Sequence, residues 1–89
     1  MNRTHKLKTV QPFFERVWEC TKTFEVRKND RDFQGGDWIT LQEYDPIENK
    51  FPGREVNGQI LYVLHNFEGL ANGYVAFSVD IKEWINPKN

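Results

Sequence analysis

The sequence predicts a small, mostly β member of the α+β class: a mixed or closed antiparallel sheet of about five strands, forming a barrel capped by one N-terminal helix. Three observations carry this. One stretch near the N-terminus has helical periodicity, and about five short strand-like stretches follow or precede it at turn-rich intervals. The chain, at 89 residues, closes only one modest core, so residues 1–89 read as a single domain. An open α+β sheet is the alternative.

Lys6 to Thr9, within "THKLKTV", alternates loosely and reads as a first strand. A helix follows in "QPFFERVWECTK": Pro12 suits the first helical position, and Phe14, Val17, Trp18 and Thr21 recur at helical spacing. That stripe reads as core packing against the sheet, with Cys20 a buried, inert thiol beside it. In "TFEVRKNDRDF" period two separates Phe24 and Val26, read as the core-facing half, from Glu25 and Arg27, the charged half. "NDRD" and "GGD" supply turn chemistry. "WITLQEY" alternates as a strand, "YDPIENKFPGREV" is a long polar connection read as a mobile hairpin tip, and "GQILYVLH" is an apolar run suggesting burial on both faces. "YVAFSVDI" alternates as a final strand, and Trp84 is expected to close the bottom of the barrel.

Composition excludes several function classes. A single cysteine rules out an intramolecular disulfide, and with two histidines it gives no paired-ligand spacing for zinc; a reducing compartment, no metal and no cofactor are expected. No stretch approaches the roughly 18 apolar residues of a membrane span, and the N-terminus lacks an apolar leader core, so a cytoplasmic protein with no membrane partner is expected. The net charge of −1 argues against a surface that clamps duplex nucleic acid on all sides. The charge is unevenly placed: Met1 to Arg31 holds eight basic and four acidic residues, the remainder four basic and nine acidic. Such asymmetry can mark one basic face for an anionic partner.

The strand bearing Glu25 and Arg27, with Lys22 at the helix-to-strand junction, brings one carboxylate and two cations together. The trio either neutralises itself as an ion-pair knot or points donors and an acceptor into a cleft for a heterocycle or phosphate. Spacing alone favours the knot. Trp38 and Tyr44 alternate onto one face and have the chemistry of base-stacking platforms, although packing is the simpler reading.

"KTFEVR", Lys22 to Arg27, resembles the G-x-K-x-x-E-x-R signature of the ASCH domains, PUA-like β-barrels associated with RNA. The wider frame, "HKLK", "KTFEVRKNDRDF..GD", "L.EYD", "GRE" and "GYVAFSV", is similar to the small ASCH-related family DUF3850, over His5 to about Ile81. The resemblance implies a barrel of about five or six strands with a helix beside it, and a cleft between them lined by Lys22, Glu25 and Arg27. Arg31 and Asp30 would stand at its rim, and His5 on the first strand is a further candidate. The sequence departs from the signature at its first position, where Cys20 replaces glycine.

Some bacterial ASCH proteins that resemble this chain in the lysine are amidohydrolases of N4-acetylcytidine, with a threonine nucleophile three residues after it. Here that position is Glu25, a weak nucleophile toward an amide. Thr23 shares its face, which leaves Lys22, Thr23 and Glu25 as a catalytic set for an N4-acylated cytidine amidohydrolase. The leading expectation is instead a non-catalytic module that binds RNA or a nucleotide-like ligand. Lys22, Arg27 and Arg31 would contact phosphate, giving a slope of log affinity against log salt of about −2. A third reading is a phage or mobile-element accessory domain for protein interaction, in which the charge cluster only braces the barrel.

Overall fold

The computed structural model describes residues 2–87. Strand β1 (Thr4–Thr9) leads into a short helix, α1 (Phe13–Trp18), followed by β2 (Phe24–Lys28), β3 (Trp38–Glu43), β4 (Glu55–His65) and β5 (Tyr74–Ile85). One sheet takes all five strands in the order β1-β3-β4-β5-β2. The pair β1/β3 is parallel and the others antiparallel, so the sheet is mixed. It curls into a half-barrel instead of closing: β1 and β2 are its two edges and no ladder joins them.

Alternation fills the concave side. His5, Leu7 and Thr9 of β1, Ile39 and Leu41 of β3, Val56 and Ile60 of β4, and Val75, Phe77 and Val79 of β5 are all buried. Phe14 and Val17 of α1 complete this core, and Phe33, from the β2–β3 connection, packs between His5 and Phe77. The helix is only six residues long. Pro12 precedes its first turn, where the Gln11 side chain accepts a hydrogen bond from the Glu15 N–H at 3.0 Å. Thr21, the last member of the expected stripe, lies beyond the helix and is exposed.

The helix ends where the chain turns left-handed. Thr21 N–H and Lys22 N–H both return to the Arg16 carbonyl, and Cys20, between helix and turn, has φ +64°. This is the helix-terminating position at which glycine carries no Cβ penalty. Cys20 is exposed, not buried as its neighbours' periodicity suggested, because the left-handed turn swings it off the helical stripe. Cys20→Gly should therefore stabilise the protein by about 0.5–1 kcal/mol, the relief of the left-handed backbone partly offset by glycine's larger unfolded-state entropy. Cys20→Ala keeps the Cβ and is the control; a thermal melt in which both variants match the parent would remove the argument.

Two further expectations are corrected. Phe24 and Val26 face outward, each 52% exposed, while Glu25 faces the core. The register explains it: Glu25 stands opposite Phe77 and Arg27 opposite Val75, and opposite residues share a face. The period was read correctly and its phase was not. The apolar run of β4 is not buried on both faces, since a register shift between Ile60 and Val63 throws Leu61 and Tyr62 to the outside. Between the antiparallel β3 and β4, the long polar connection is a hairpin as expected, and its tip is a closed turn. Asp45 and Lys50 exchange backbone hydrogen bonds, and the Asp45 carboxylate accepts from the N–H groups of Ile47 and Glu48.

Trp84 is 45% exposed and does not plug the sheet; its indole N–H donates to the Trp18 carbonyl at 2.9 Å, tying β5 to the end of α1.

Candidate functional site

The site is built where the sheet fails to close. The carbonyls of Arg3, just before β1, and of Thr9, at its end, accept hydrogen bonds from Trp38 and Tyr44 of the β3 segment. Alternation then turns the carbonyls of Lys6 and Lys8 the other way, toward β2. No strand meets them. Two guanidinium groups do: Arg27 donates to the Lys8 carbonyl at 3.0 Å and Arg31 to the Lys6 carbonyl at 2.9 Å. Arg3 reaches back across the same gap to the carbonyls of Arg31 and Asp32. Arginine side chains thus do along this seam what a ladder does elsewhere.

Arg27 can hold that position because Glu25 fixes its other side. Arg27 Nε donates to Glu25 Oε1 at 2.9 Å, with a second nitrogen at 2.8 Å, and also reaches the Thr9 hydroxyl at 3.3 Å. Lys22 Nζ donates to Glu25 Oε2 at 2.6 Å and to the Phe24 carbonyl at 2.8 Å. A carboxylate that is 2% exposed is costly to bury alone. Here both its oxygens are engaged by cations, which is why the charged face of β2 turns inward.

Above this floor lies a cleft of about 400 Å³ between the α1 entry and β2. Its walls are Val10 and Phe13 on one side and Phe24 and Val26 on the other, with Lys8 and Thr9 at the β1 end. Phe13 is 53% exposed. Lys22 Nζ stands 5.0 Å from the centre of the Phe24 ring. The cleft thus pairs an apolar, partly aromatic rim with an ion-paired base, and its lysine keeps one ammonium hydrogen beyond the two engaged.

The structure brings Lys22, Glu25 and Arg27 into this one cleft. Arg31 and Asp30 lie farther along the seam, in a second groove of about 450 Å³ that meets the cleft at Lys8 and Arg27. Thr23 is exposed and outside the cleft lining. His5 is elsewhere: buried on β1, it donates from Nε2 to Asp37 Oδ2 at 2.9 Å and sits edge-on to Phe33. Asp37 also accepts from the backbone N–H groups of Arg3 and Gln34. Burial alone would raise this carboxyl; the hydrogen bond from His5 and the two backbone bonds outweigh it and hold Asp37 below the usual range. The dyad pins β1 to the Gly35–Gly36 turn, where Gly36 takes φ +93°.

A third cluster braces α1. Arg54 bonds Glu43 and Glu15 and lies over the rings of Phe14 and Trp18, at 5.2 and 4.8 Å. Its hydrogen bonds to Glu43 and Glu15 raise its already high pKa further. Sequence reasoning missed Lys8, Thr9, Val10 and Phe13 as cleft residues. The outward half of β1 was legible in "HKLK", but nothing local says that β1 and β2 come to face each other as opposite edges of one sheet.

The sequence model described as "Domain of unknown function (DUF3850)" matches residues 4–79. The chain belongs to the DUF3850 family. The matched span runs from the start of β1 into β5 and takes in the whole Lys22–Glu25–Arg27 cluster and the His5–Asp37 pair. A relative from Escherichia phage P2, the "Uncharacterized 12.9 kDa protein in GpA 3'region", is 35% identical over 60 residues, 67% of this chain and 53% of that protein. This DUF3850 chain therefore spans about half the length of the phage relative. Among the described residues no group of three or more His, Cys, Asp and Glu side chains is placed to hold a metal ion. No helix of the described residues is long and apolar enough to cross a membrane.

Proposed function

We propose that this protein is a PUA-like module that binds RNA or a nucleotide-like ligand in the cleft between α1 and the half-barrel. The observation that carries the reading is the pairing of a rigid charged floor with three outward apolar side chains, Phe13, Phe24 and Val26, each just over half exposed. These side chains are kept at the surface around one concavity while the core closes without them. A flat heterocycle laid on Phe24 would recover the stacking energy of about 1–3 kcal/mol that aromatic platforms give per base. Lys22 has a remaining hydrogen to donate to a ring carbonyl or a phosphate oxygen.

The geometry changes the expected division of labour. Arg27 has its donors engaged by Glu25, Thr9 and β1, so it is a positioning residue, and Glu25 orients it and Lys22. Lys22, with the unpaired Lys8 at the β1 end of the cleft, is left to face the ligand. No observation favours the amidohydrolase alternative: Thr23 is outside the cleft, and Lys22 is tied to Glu25.

Fluorescence anisotropy with a labelled mixed-sequence single-stranded RNA at low salt tests the proposal. Phe24→Ala is expected to weaken binding about 5- to 150-fold, the range that a lost stacking contact gives, with the fold intact because Phe24 contributes nothing to the buried core. Lys22→Ala should weaken it as well. No detectable binding by the parent protein, or parental affinity in both variants, would overturn the reading.

A further inference from the structure

Among the described residues seven lysines and arginines pair with a carboxylate: Arg3, Arg16, Lys22, Arg27, Lys50, Arg54 and Lys82. The four that form no ion pair are Lys6, Lys8, Lys28 and Arg31. All four line the seam groove between β1 and β2. Cleft and groove together hold six cations, these four with Lys22 and Arg27, against two carboxylates, Glu25 and Asp30. Among the described residues the other five cations stand against eleven carboxylates, so the basic charge is gathered on one line of an otherwise acidic surface.

Resting on the reading of the cleft as a base-binding site, we infer that the seam groove is a track for the phosphate backbone of a single-stranded polynucleotide, one of whose bases occupies the cleft. The two concavities meet at Lys8 and Arg27, which line both. Lys6 and Lys8 are both exposed and sit two residues apart, roughly 7 Å along β1. Lys28 and Arg31 stand on the opposite bank. Because the β1 carbonyls that would repel a polyanion are covered by Arg27 and Arg31, the groove floor presents guanidinium edges where an unpaired strand edge would present oxygen. The cleft requires a base free to leave its stack, which selects a single strand over a duplex. A carboxylate polymer would satisfy the cations and leave the cleft empty.

The track predicts that affinity grows with ligand length. An eight-nucleotide single-stranded RNA should bind at least tenfold tighter than a nucleoside monophosphate. Its affinity should fall with salt at a slope of about −3, as expected for four phosphate contacts. The double variant K6E/K28E lies outside the cleft and changes only exposed side chains. It should weaken the eight-nucleotide ligand at least tenfold and flatten the slope to about −1.4, while the monophosphate binds as before and the melting temperature is unchanged. A monophosphate that binds as tightly as the longer strand, or an eight-nucleotide ligand indifferent to K6E/K28E but lost in Phe24→Ala, would overturn the track and leave the cleft standing. Equal binding of an RNA duplex, or of polyglutamate of matched charge, would overturn it as well. Failure of every nucleotide ligand to bind would retire track and cleft together.

Discussion

Arg27→Ala is expected to cost about 3–5 kcal/mol, the penalty for removing one partner of a buried ion pair. The substitution leaves Glu25 buried with only Lys22 against it and strips the Lys8 carbonyl and the Thr9 hydroxyl of their shared donor. For a domain of this size, with total stability of roughly 5–13 kcal/mol, the loss is large. At about 4–8 °C per kcal/mol the melting temperature should fall by roughly 12–40 °C. Glu25→Ala should cost a similar amount, since it strands Arg27 and Lys22 instead. The double variant should cost less than the two single losses added together, by about 1–3 kcal/mol. Arg27→Lys keeps the charge but loses the fork, and should fall between. Additive losses would mean that the pair does not hold the seam; losses under 1 kcal/mol would mean that the cluster is not structural at all.

Asp37→Asn carries the second large effect. The Asp37 carboxylate gathers His5, two backbone N–H groups and, at 3.6 Å, the Arg3 guanidinium. An amide keeps one acceptor oxygen and turns a donor toward the others, so a loss of about 2–4 kcal/mol is expected at neutral pH. The pH dependence has a definite sign. Asp37 is held below its ordinary value when folded, so its contribution is fully present above the unfolded value near pH 4 and is lost as pH falls through the lower folded value. Urea midpoints should therefore drop for the parent protein below about pH 4. In Asp37→Asn that part of the drop should be absent, so that the two proteins converge in acid. A constant gap between them from pH 7 to pH 2 would show that the carboxylate's charge contributes nothing.

Much of the fold was legible because its elements obey local rules. β3 and β5 alternate cleanly, Phe14 and Val17 share a helical face, and the "GGD" turn carries the glycine that its left-handed backbone needs. What was not legible depends on which strands become neighbours. Hydropathy alone sends Phe24 and Val26 inward; only the pairing of β2 with β5 fixes the phase, and only the approach of β1 gives Arg27 an acceptor worth turning toward. The same holds for the cleft. Lys22, Glu25 and Arg27 could be picked out by spacing and charge, but Lys8, Thr9, Val10 and Phe13 come from a segment whose placement is entirely tertiary. Cys20 was misread for a smaller reason: a helical stripe projected two residues past the point where the chain leaves the helix. Trp84 has no local signal for its role, since its partner is a helix-end carbonyl 66 residues earlier.

The two open edges of the half-barrel also bear on how these molecules behave toward one another. A bare strand margin is a template on which a neighbouring molecule's strand can add, and sheets that expose one tend to stick together edge to edge. On β1 the outward carbonyls of Lys6 and Lys8 are already occupied by guanidinium groups from within the same chain, and the flanking lysines repel a second copy carrying the same charges. The arginines that bridge the seam therefore also occupy the acceptors on which a second copy's strand would pair, a protection the sheet has without closing.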